Sequence, residues 1–533
     1  IMRKMFIFVL SLLVLCPFLV SAEEVVVSSE TELLDAISSK YEDITFGKDI
    51  ILSNSIIIDY EVNINGNNKS ILYSDDYYGL IFDVKDNGKL ILSNVLIDGE
   101  NNWSWKTEED RLDPYKTNTS NYLNVGDKVL NSNLINSTGD LTLKSVIIKN
   151  FYSNVSDKNF LIKVSDSDVL LSGIMITNCI GTITNFNNSN IEINDNSIFS
   201  NNYTLGNKGG LFQLSKSNLV ISSGSFINNI GSVRSGTLFG VINDSVLTLN
   251  DGNIKNNLSK YYGSTSTCSL ITVESGGGFV MNGGEVSDNI GGLSSFIASR
   301  WTNGTSGSGD KGIYLNGGII KNNTTYLDTW KNATVFVRSA LNIDINMKVE
   351  GNVVINNTSA SLVNNGTIVG DLFVNDSTAT VVNNGTILGS ATLSAGSLVN
   401  NGVINKAYEV NTQIDNKGEI KEEYVKTLSS SDNKYVVTFD CNGGKDKETS
   451  YTSLDVLVNK DSVVTTNLNL VKRGHSFEGW YKDKELTVKY NFDDIVTENI
   501  VLYAKYNPNM YKVNWVIDNK INTEELAYGS IIK

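Results

Sequence analysis

The segment LTLNDGNIKN, residues 247–256, decides the fold because similar segments recur along the chain. Leu247 and Leu249 alternate with polar residues, so both side chains point to one face of a β-strand. The turn NDG accepts left-handed backbone at low cost. Ile254 then begins a second short strand that faces the same interior. We infer one coil of a solenoid, which buries its apolar face only by stacking on neighbouring coils.

Seven further segments share this pattern, and those after the second follow at spacings of 28, 22, 28, 28, 32 and 34 residues. The gap between the first two copies is 51 residues, which predicts an additional coil or a large insertion there. The eight copies are LILSNVLIDG (90–99), LTLKSVIIKN (141–150), VLLSGIMITN (169–178), IEINDNSIFS (191–200), LVISSGSFIN (219–228), LTLNDGNIKN (247–256), FVMNGGEVSD (279–288) and IYLNGGIIKN (313–322).

Most of these copies end with an asparagine or an aspartate, which stands at a corner of the coil. We expect stacked side chains at this corner to hydrogen-bond along the solenoid axis. The corner residues are Asn150, Asn178, Asn228, Asn256, Asp288 and Asn322.

A second series with an NNG or NKG turn follows, and its glycines stand at 366, 385, 402 and 418. Its repeat is 19, 17 and then 16 residues long, so we predict a narrower continuation of the same solenoid over about 350–425.

The N-terminal end carries a secretory signal and then a cap. Arg3, Lys4 and the apolar run at 5–15 precede the small residues at 20–22, so residues 1–22 are predicted to be a cleaved signal peptide. The segment SSETELLDAISS (28–39) predicts a helix, with Ser29 and Glu32 spaced as a capping box. We expect residues 23–65 to cover the first coil, since an open sheet edge invites aggregation.

Residues 25–425 therefore resemble right-handed parallel β-helix proteins of the pectate-lyase-like type. The resemblance rests on the repeated coils and on the opening helix followed by strands. It implies an all-β fold for 23–425, and it specifies architecture more than activity.

The C-terminal part changes in composition after a polar linker at 426–434. YVVTFDCNGG (435–444), RGHSFEGWY (473–481) and VLYAKY (501–506) resemble the Listeria–Bacteroides repeat, also called the internalin B-repeat type. The resemblance implies a small β-grasp-like module at 435–507, which acts as a spacer or an interaction domain. Its core positions fall on Val437, Phe439, Phe477, Trp480, Leu502 and Tyr503. Residues 508–533 look like the opening of a second repeat.

His475 is the single histidine of the chain. It stands beside a turn glycine, where the repeat usually has an aromatic residue, so we interpret it as a packing residue. A catalytic or metal-binding role would require a second histidine or a nucleophile nearby.

Charge and composition exclude several function classes. The net charge of −15 argues against nucleic acid or an anionic membrane as the main partner. No CxxC spacing accompanies the cysteines, so no metal site is predicted, and Cys179, Cys268 and Cys441 are expected to be buried thiols. We predict no cofactor, and no membrane insertion of the mature chain.

The inserted sequence NNWSWKTEEDRLDPYKTN (101–118) interrupts the repeats with Trp103, Trp105 and Tyr115. These aromatic residues could bind sugar rings or a protein partner. The alternative is that they fold back and cover an apolar side of a coil, which is the commoner fate of aromatic residues.

We therefore expect a secreted, adhesin-like protein of the bacterial cell surface that binds host or environmental glycans or proteins and contacts the cell envelope. Two alternatives stay open: a polysaccharide lyase or hydrolase, which needs carboxylates and a basic residue in one groove, and a purely structural envelope protein. No catalytic residue is predicted.

Overall fold

The computed structural model describes residues 24–117, 119–153, 159–206, 209–234, 236–261, 269–300, 311–327, 331–357, 359–409, 414–425, 434–447, 452–459, 461–466, 468–517 and 520–530. The predicted signal peptide, Cys268 and nearly all of the linker lie outside these residues. From 24 to 425 the chain forms a β-helix of parallel strands, as the repeats predict.

Three parallel sheets run along the β-helix, and most coils contribute one strand to each; we call these sheets face A, face B and face C. Corresponding strands of successive coils pair in register, such as Leu219 with Leu247 and Leu247 with Phe279. Each crossover joins parallel strands, which favours right-handed winding. The right-handed sense stays a prediction that rests on this rule.

The strands of face A are Glu24–Val27, Asp43–Phe46, the first halves of Glu61–Tyr73 and Lys89–Asp98, Asp140–Lys144, Asp168–Ser172, Asn190–Asn194, Asn218–Ile221, Val246–Leu249, Gly278–Met281, Gly312–Leu315, Ala340–Ile343, Ser361–Asn364, Thr380–Asn383, Ser397–Asn400 and Ile414–Asn416.

The strands of face B are Ile50–Leu52, the second halves of Glu61–Tyr73 and Lys89–Asp98, Ile147–Lys149, Met175–Thr177, Ser197–Ser200, Gly224–Ile227, Asn253–Lys255, Glu285–Ser287, Ile319–Lys321, Lys348–Val349, Thr367–Ile368, and the first parts of Thr386–Leu393, Val403–Glu409 and Glu419–Val425.

The strands of face C are Ile56–Ile58, Phe82–Val84, Ile135–Ser137, Ile162–Ser165, Thr184–Asn187, Phe212–Ser215, Phe239–Ile242, Ile271–Glu274, Ile297–Arg300, Ala333–Val337, Asn352–Ile355, Leu372–Val374 and the last parts of Thr386–Leu393, Val403–Glu409 and Glu419–Val425.

The middle coils carry a fourth strand between faces B and C, and these strands form a separate six-stranded sheet that we call the side sheet. The side sheet ends with Thr324–Thr325, and the described residues of the later coils add no strand to it, which explains why their repeat shortens. Its strands are Ile180–Gly181, Tyr203–Gly206, Ile230–Val233, Leu258–Ser259, Ile290–Gly291 and Thr324–Thr325.

The interior of the β-helix is a continuous stack of aliphatic and phenylalanine side chains. Phe199 and Phe226 lie parallel, with ring centroids 5.0 Å apart and planes 2° apart. Such stacks arise because parallel in-register strands repeat the same inward position about every 4.8 Å.

The predicted corner residues adopt left-handed backbone, with φ between 55° and 58° at Asn150, Asn178, Asn228, Asn256, Asp288 and Asn322. The expected axial hydrogen bonds form between Asn178 and Asn150, 2.7 Å apart. In the following coils, however, the ladder is built by the next residue, which is buried in every coil except the last, where Asn323 is half-buried. That ladder joins Asn202, Asn229, Asn257, Asn289 and Asn323 through side-chain bonds of 2.8–3.1 Å. The left-handed residue turns the chain, so its neighbour points inward.

The NNG coils contain a second buried ladder. Asn364, Asn383, Asn400 and Asn416 bond in sequence at 2.7, 2.8 and 2.7 Å. Asn364, Asn383 and Asn400 are buried, and each donates its side-chain N–H to the asparagine of the next coil, of which the last, Asn416, is exposed.

The N-terminal cap includes the helix Glu30–Ser38, as predicted. The Ser29 hydroxyl accepts a hydrogen bond from the Glu32 backbone N–H at 3.2 Å, and the Ser28 N–H donates to the Glu32 carboxylate at 2.7 Å. Leu33, Ala36 and Ile37 are buried against the first coils.

The C-terminal module is a mixed four-stranded sheet, and its central pair is parallel. In chain order its strands are Lys434–Asp440, Ser453–Asn459, His475–Tyr481 and Ile500–Pro508, which lie in the order 2-1-4-3, as in a β-grasp sheet. Lys445–Asp446 and Leu470–Val471 form a small second sheet. A hairpin, Met510–Ile517 with Lys520–Ala527, follows the module.

The module core contains Val437, Phe439, Trp480 and Leu502, as predicted, but the prediction for Phe477 is wrong. A β-bulge between Phe477 and Gly479 resets the alternation of the strand, so Phe477 is 39% exposed while Trp480 is buried. Tyr503 also points away from the core, because its neighbours Leu502 and Ala504 point inward.

Candidate binding site

The segment between the first two repeats is an insertion, since Asp140–Lys144 pairs directly with Lys89–Asp98. Part of it, which we call the cover loop (residues 100–128), lies across the side sheet. It contains the short pair Ser104–Trp105 and Leu123–Asn124 and the helices Glu108–Leu112 and Thr119–Tyr122. The side sheet offers apolar outward residues, which explains why the loop covers it.

Trp103 anchors the cover loop. Its side chain is 7% exposed and packs with Ile180, Tyr203 and Ile230 of the side sheet. Its indole N–H donates to the Asn178 carbonyl at 2.7 Å. This satisfied, buried indole matches the alternative that the sequence left open, in which an aromatic residue covers the side of a coil.

Trp105 is half-buried, and its ring contacts the buried side chain of Lys260. The ring centroids of Trp105 and Tyr203 are 4.8 Å apart, and Lys260 Nζ lies 4.2 Å from the centroid of the Trp105 ring. Lys260 is fully buried, and its ammonium donates to the carbonyls of Asp110 at 2.6 Å and Lys116 at 2.9 Å. Burial lowers the pKa of Lys260 to about 8, although Asp113 and Asp110 oppose the shift.

A pocket of about 240 Å³ opens where the cover loop meets the corner asparagines. Trp103, Trp105 and Arg111 come from the loop, and the β-helix supplies Asn178, Asn201, Asn202, Asn228 and Ile230. Asn201 and Asn228 are exposed, and their amide groups make no hydrogen bond within the described part of the chain. The pocket therefore presents donors and acceptors beside aromatic rings. None of its described lining residues is a carboxylate.

Arg111 is the cation of the pocket, and its charge is balanced. Its guanidinium donates to both carboxylate oxygens of Glu108, at 2.7 and 2.6 Å. These hydrogen bonds raise the pKa of Arg111 and lower the pKa of Glu108. The Arg111–Glu108 pair has no net charge, and the remaining N–H groups of the guanidinium can still donate hydrogen bonds.

Tyr115 lies at the other end of the cover loop and is 57% exposed. Its ring is 5.7 Å from that of Tyr261 and 5.6 Å from that of Tyr326. Tyr261 and Tyr326 follow the side strands Leu258–Ser259 and Thr324–Thr325, which lie further along the side sheet than the strands that Trp103 covers. The structure brings Trp103 and Trp105 together at the pocket described above, and Tyr115 is not among its lining residues.

Sequence reasoning missed Lys260, Arg111 and the outward amides of Asn201 and Asn228. The exposed amides could have been predicted from the repeats, because a corner residue with left-handed backbone points its side chain to the solvent. No local pattern marks Lys260, whose partners lie about 150 residues earlier in the chain.

The cysteines, the acidic residues and His475 form no further site in the described part of the chain. Cys179 and Cys441 are buried thiols, as predicted, and burial raises their pKa values to about 12 and 11. The described residues contain no group of three or more His, Cys, Asp or Glu side chains placed to hold a metal ion. His475 begins its strand half-buried, with Nδ1 2.8 Å from the Arg473 carbonyl and its ring packed edge-on against Tyr528.

Comparison with known proteins identifies the C-terminal module. Residues 435–505 match the Listeria–Bacteroides repeat domain, which confirms that resemblance. No solved structure matches the chain significantly. In the part of the chain that the structure describes, no helix is both long and apolar enough to cross a membrane.

Curated relatives match over a short region. Two proteins of Evansella cellulosilytica with membrane-protein names, the second described as Gly-rich, are 36% and 35% identical over 103 residues. Internalin H of Listeria monocytogenes is 32% identical over 101 residues. Each match covers 19% of this chain and 15%, 11% and 17% of the respective relative. These similarities fit a surface protein.

Proposed function

We propose that the protein is a secreted, adhesin-like binding protein of the bacterial cell surface. Its pocket between the cover loop and the corner asparagines, which we call the side pocket, binds neutral glycans. The predicted signal peptide and the names of the relatives support the location. The match of 435–505 to the Listeria–Bacteroides repeat domain and the similarity to an internalin support a spacer role for the module.

The composition of the pocket is the observation that carries this proposal. Sugar hydroxyls both donate and accept hydrogen bonds, and so do the amides of Asn201 and Asn228. The apolar faces of a sugar ring can pack on the exposed part of Trp105. Because Glu108 neutralises Arg111, the pocket does not select an anionic ligand by charge.

We propose binding without turnover. Glycoside hydrolysis requires two carboxylates that flank the scissile bond, whereas the described lining is amide, indole, guanidinium and aliphatic. A shallow site of amides and aromatic rings on a rigid sheet is suited to recognition of one sugar unit, and a protein ligand that presents such a sugar would bind in the same way.

A glycan and extracellular-matrix protein array tests the proposal, with the full chain and two matched variants. Asn228→Asp places a charge in the pocket, while Asn322→Asp places one at the equivalent corner outside it; both residues keep the left-handed backbone at low cost. We expect neutral glycans to bind the wild type and Asn322→Asp, and to lose about tenfold affinity with Asn228→Asp.

Three outcomes would contradict the proposal. Binding only to proteins that lack glycans would indicate a different adhesin mode, release of sugar fragments would indicate an enzyme, and no binding to either class would favour a structural envelope role.

A further inference from the structure

The turn at Gly474 and His475 is in contact with the hairpin that follows the module. Gly474 has a φ of 69°, and a Cβ atom at this position would overlap the ring of Tyr528. The Tyr528 ring therefore lies directly on the glycine. It also packs edge-on against His475, with centroids 5.6 Å apart and planes at 72°.

Two backbone hydrogen bonds fix the same contact. The Asn509 N–H donates to the Gly474 carbonyl at 2.8 Å, and the Tyr528 N–H donates to the Asn509 carbonyl at 2.8 Å. Asn509 is the one residue between the last module strand, Ile500–Pro508, and the first hairpin strand, Met510–Ile517. Both ends of the hairpin are thus tied to the turn.

The hairpin depends on this contact for its order. Its described side chains are exposed or half-buried, with Met510 54% and Tyr511 48% exposed. An isolated two-stranded hairpin is marginally stable in water. The hydrogen bond to Gly474 and the packing of the Tyr528 ring supply contacts that the hairpin lacks within itself.

The hairpin also repeats the opening of the module. Tyr511, Val513 and Trp515 have the spacing of Tyr435, Val437 and Phe439. In both places this strand pairs antiparallel with the next strand of the chain.

We propose that the turn at Gly474–His475 is a docking site for the next repeat, through which one repeat fixes the orientation of its successor. The proposal rests on the interpretation of the hairpin as the start of a second repeat, and it does not depend on ligand binding. Its consequence is a stiff spacer, in which the aromatic residue of one repeat seats on the turn glycine of the preceding one.

Hydrogen exchange measured by mass spectrometry on the full chain tests the docking. Tyr528→Ala removes the ring, and Gly474→Ala introduces the Cβ atom that overlaps it. We expect exchange of the amides around Asn509 and Tyr528 to become about tenfold faster in both variants. Tyr528→Phe keeps the ring, and Met510→Ala truncates another exposed side chain of the hairpin, so both should exchange like the wild type.

The module provides the internal reference. The Tyr490 N–H, which donates to the Trp480 carbonyl at 2.8 Å, should keep its protection in every variant. Free exchange of Asn509 and Tyr528 in the wild type would overturn the proposal, as would unchanged protection in Tyr528→Ala.

Discussion

At the scale of single residues, Lys260 shows how the fold changes chemistry. Its ammonium is buried against Trp105 and two carbonyl groups, and burial lowers its pKa from 10.5 to about 8. Because the folded pKa is below the unfolded value, the protonated form is disfavoured in the folded state. This penalty is complete below pH 8 and disappears as the pH rises toward 10.5.

The prediction concerns the free energy of unfolding of the wild type minus that of Lys260→Met. We expect this difference to rise by up to about 3 kcal/mol between pH 8 and pH 10.5, measured by urea denaturation at each pH. Lys144→Met, at an exposed lysine, is the control and should show no such rise. A difference that stays constant through this range would contradict the burial argument.

His475 gives a second prediction at this scale. Its ring contacts Tyr528, and its Nδ1 lies 2.8 Å from the Arg473 carbonyl. His475→Tyr keeps an aromatic ring at an aromatic position of the repeat, so we expect the melting temperature to stay within about 2 °C of the wild type or to rise. His475→Ala should lower it. A large loss with tyrosine would reveal a specific role for the imidazole.

At the scale of elements, the buried asparagine ladder holds successive coils in register. Asn229 accepts from the Asn202 side chain at 3.0 Å and donates to the Phe199 carbonyl at 2.9 Å and to Asn257 at 3.1 Å. Asn229→Ala removes these hydrogen bonds and also takes away the acceptor of the buried Asn202 backbone N–H, so we expect a loss of about 3 kcal/mol in denaturation experiments.

The neighbouring corner residue supplies the control. Asn228 is exposed and has a φ of 57°, so Asn228→Gly preserves its backbone and should cost only a few tenths of a kcal/mol. Equal losses in the two variants would show that the ladder adds nothing beyond the turn.

The elements also show what the sequence could predict. Alternating apolar residues and turn residues predicted the coils and the narrower end, and the capping box predicted the cap helix. These features could be predicted because they depend on local sequence patterns. The ladder was assigned one residue too early at most corners, since the inward direction of Asn202 or Asn229 depends on how the preceding left-handed residue turns the chain. Phe477 was misassigned because a bulge resets its strand.

At the scale of the whole molecule, the pocket arises from an insertion that crosses several coils. Trp103 reaches Asn178, and Lys260 reaches Asp110, so the site exists only when segments 75 and 150 residues apart meet. The sequence identified the cover loop and its aromatic residues. It could not separate the anchoring Trp103 from the exposed Tyr115, because that distinction depends on which part of the side sheet each one reaches.

The most direct test of binding at the side pocket is a titration of the full chain that is monitored by intrinsic tryptophan fluorescence. The ligand is the neutral glycan that binds most tightly on the array. Trp105 lines the pocket, so we expect a saturable change in emission in the wild type and in Asn322→Asp, with recovery of the glycan uncleaved. Asn228→Asp should weaken the apparent Kd about tenfold. Equal affinity in all three proteins, or cleavage of the glycan during the titration, would contradict a binding site at this pocket.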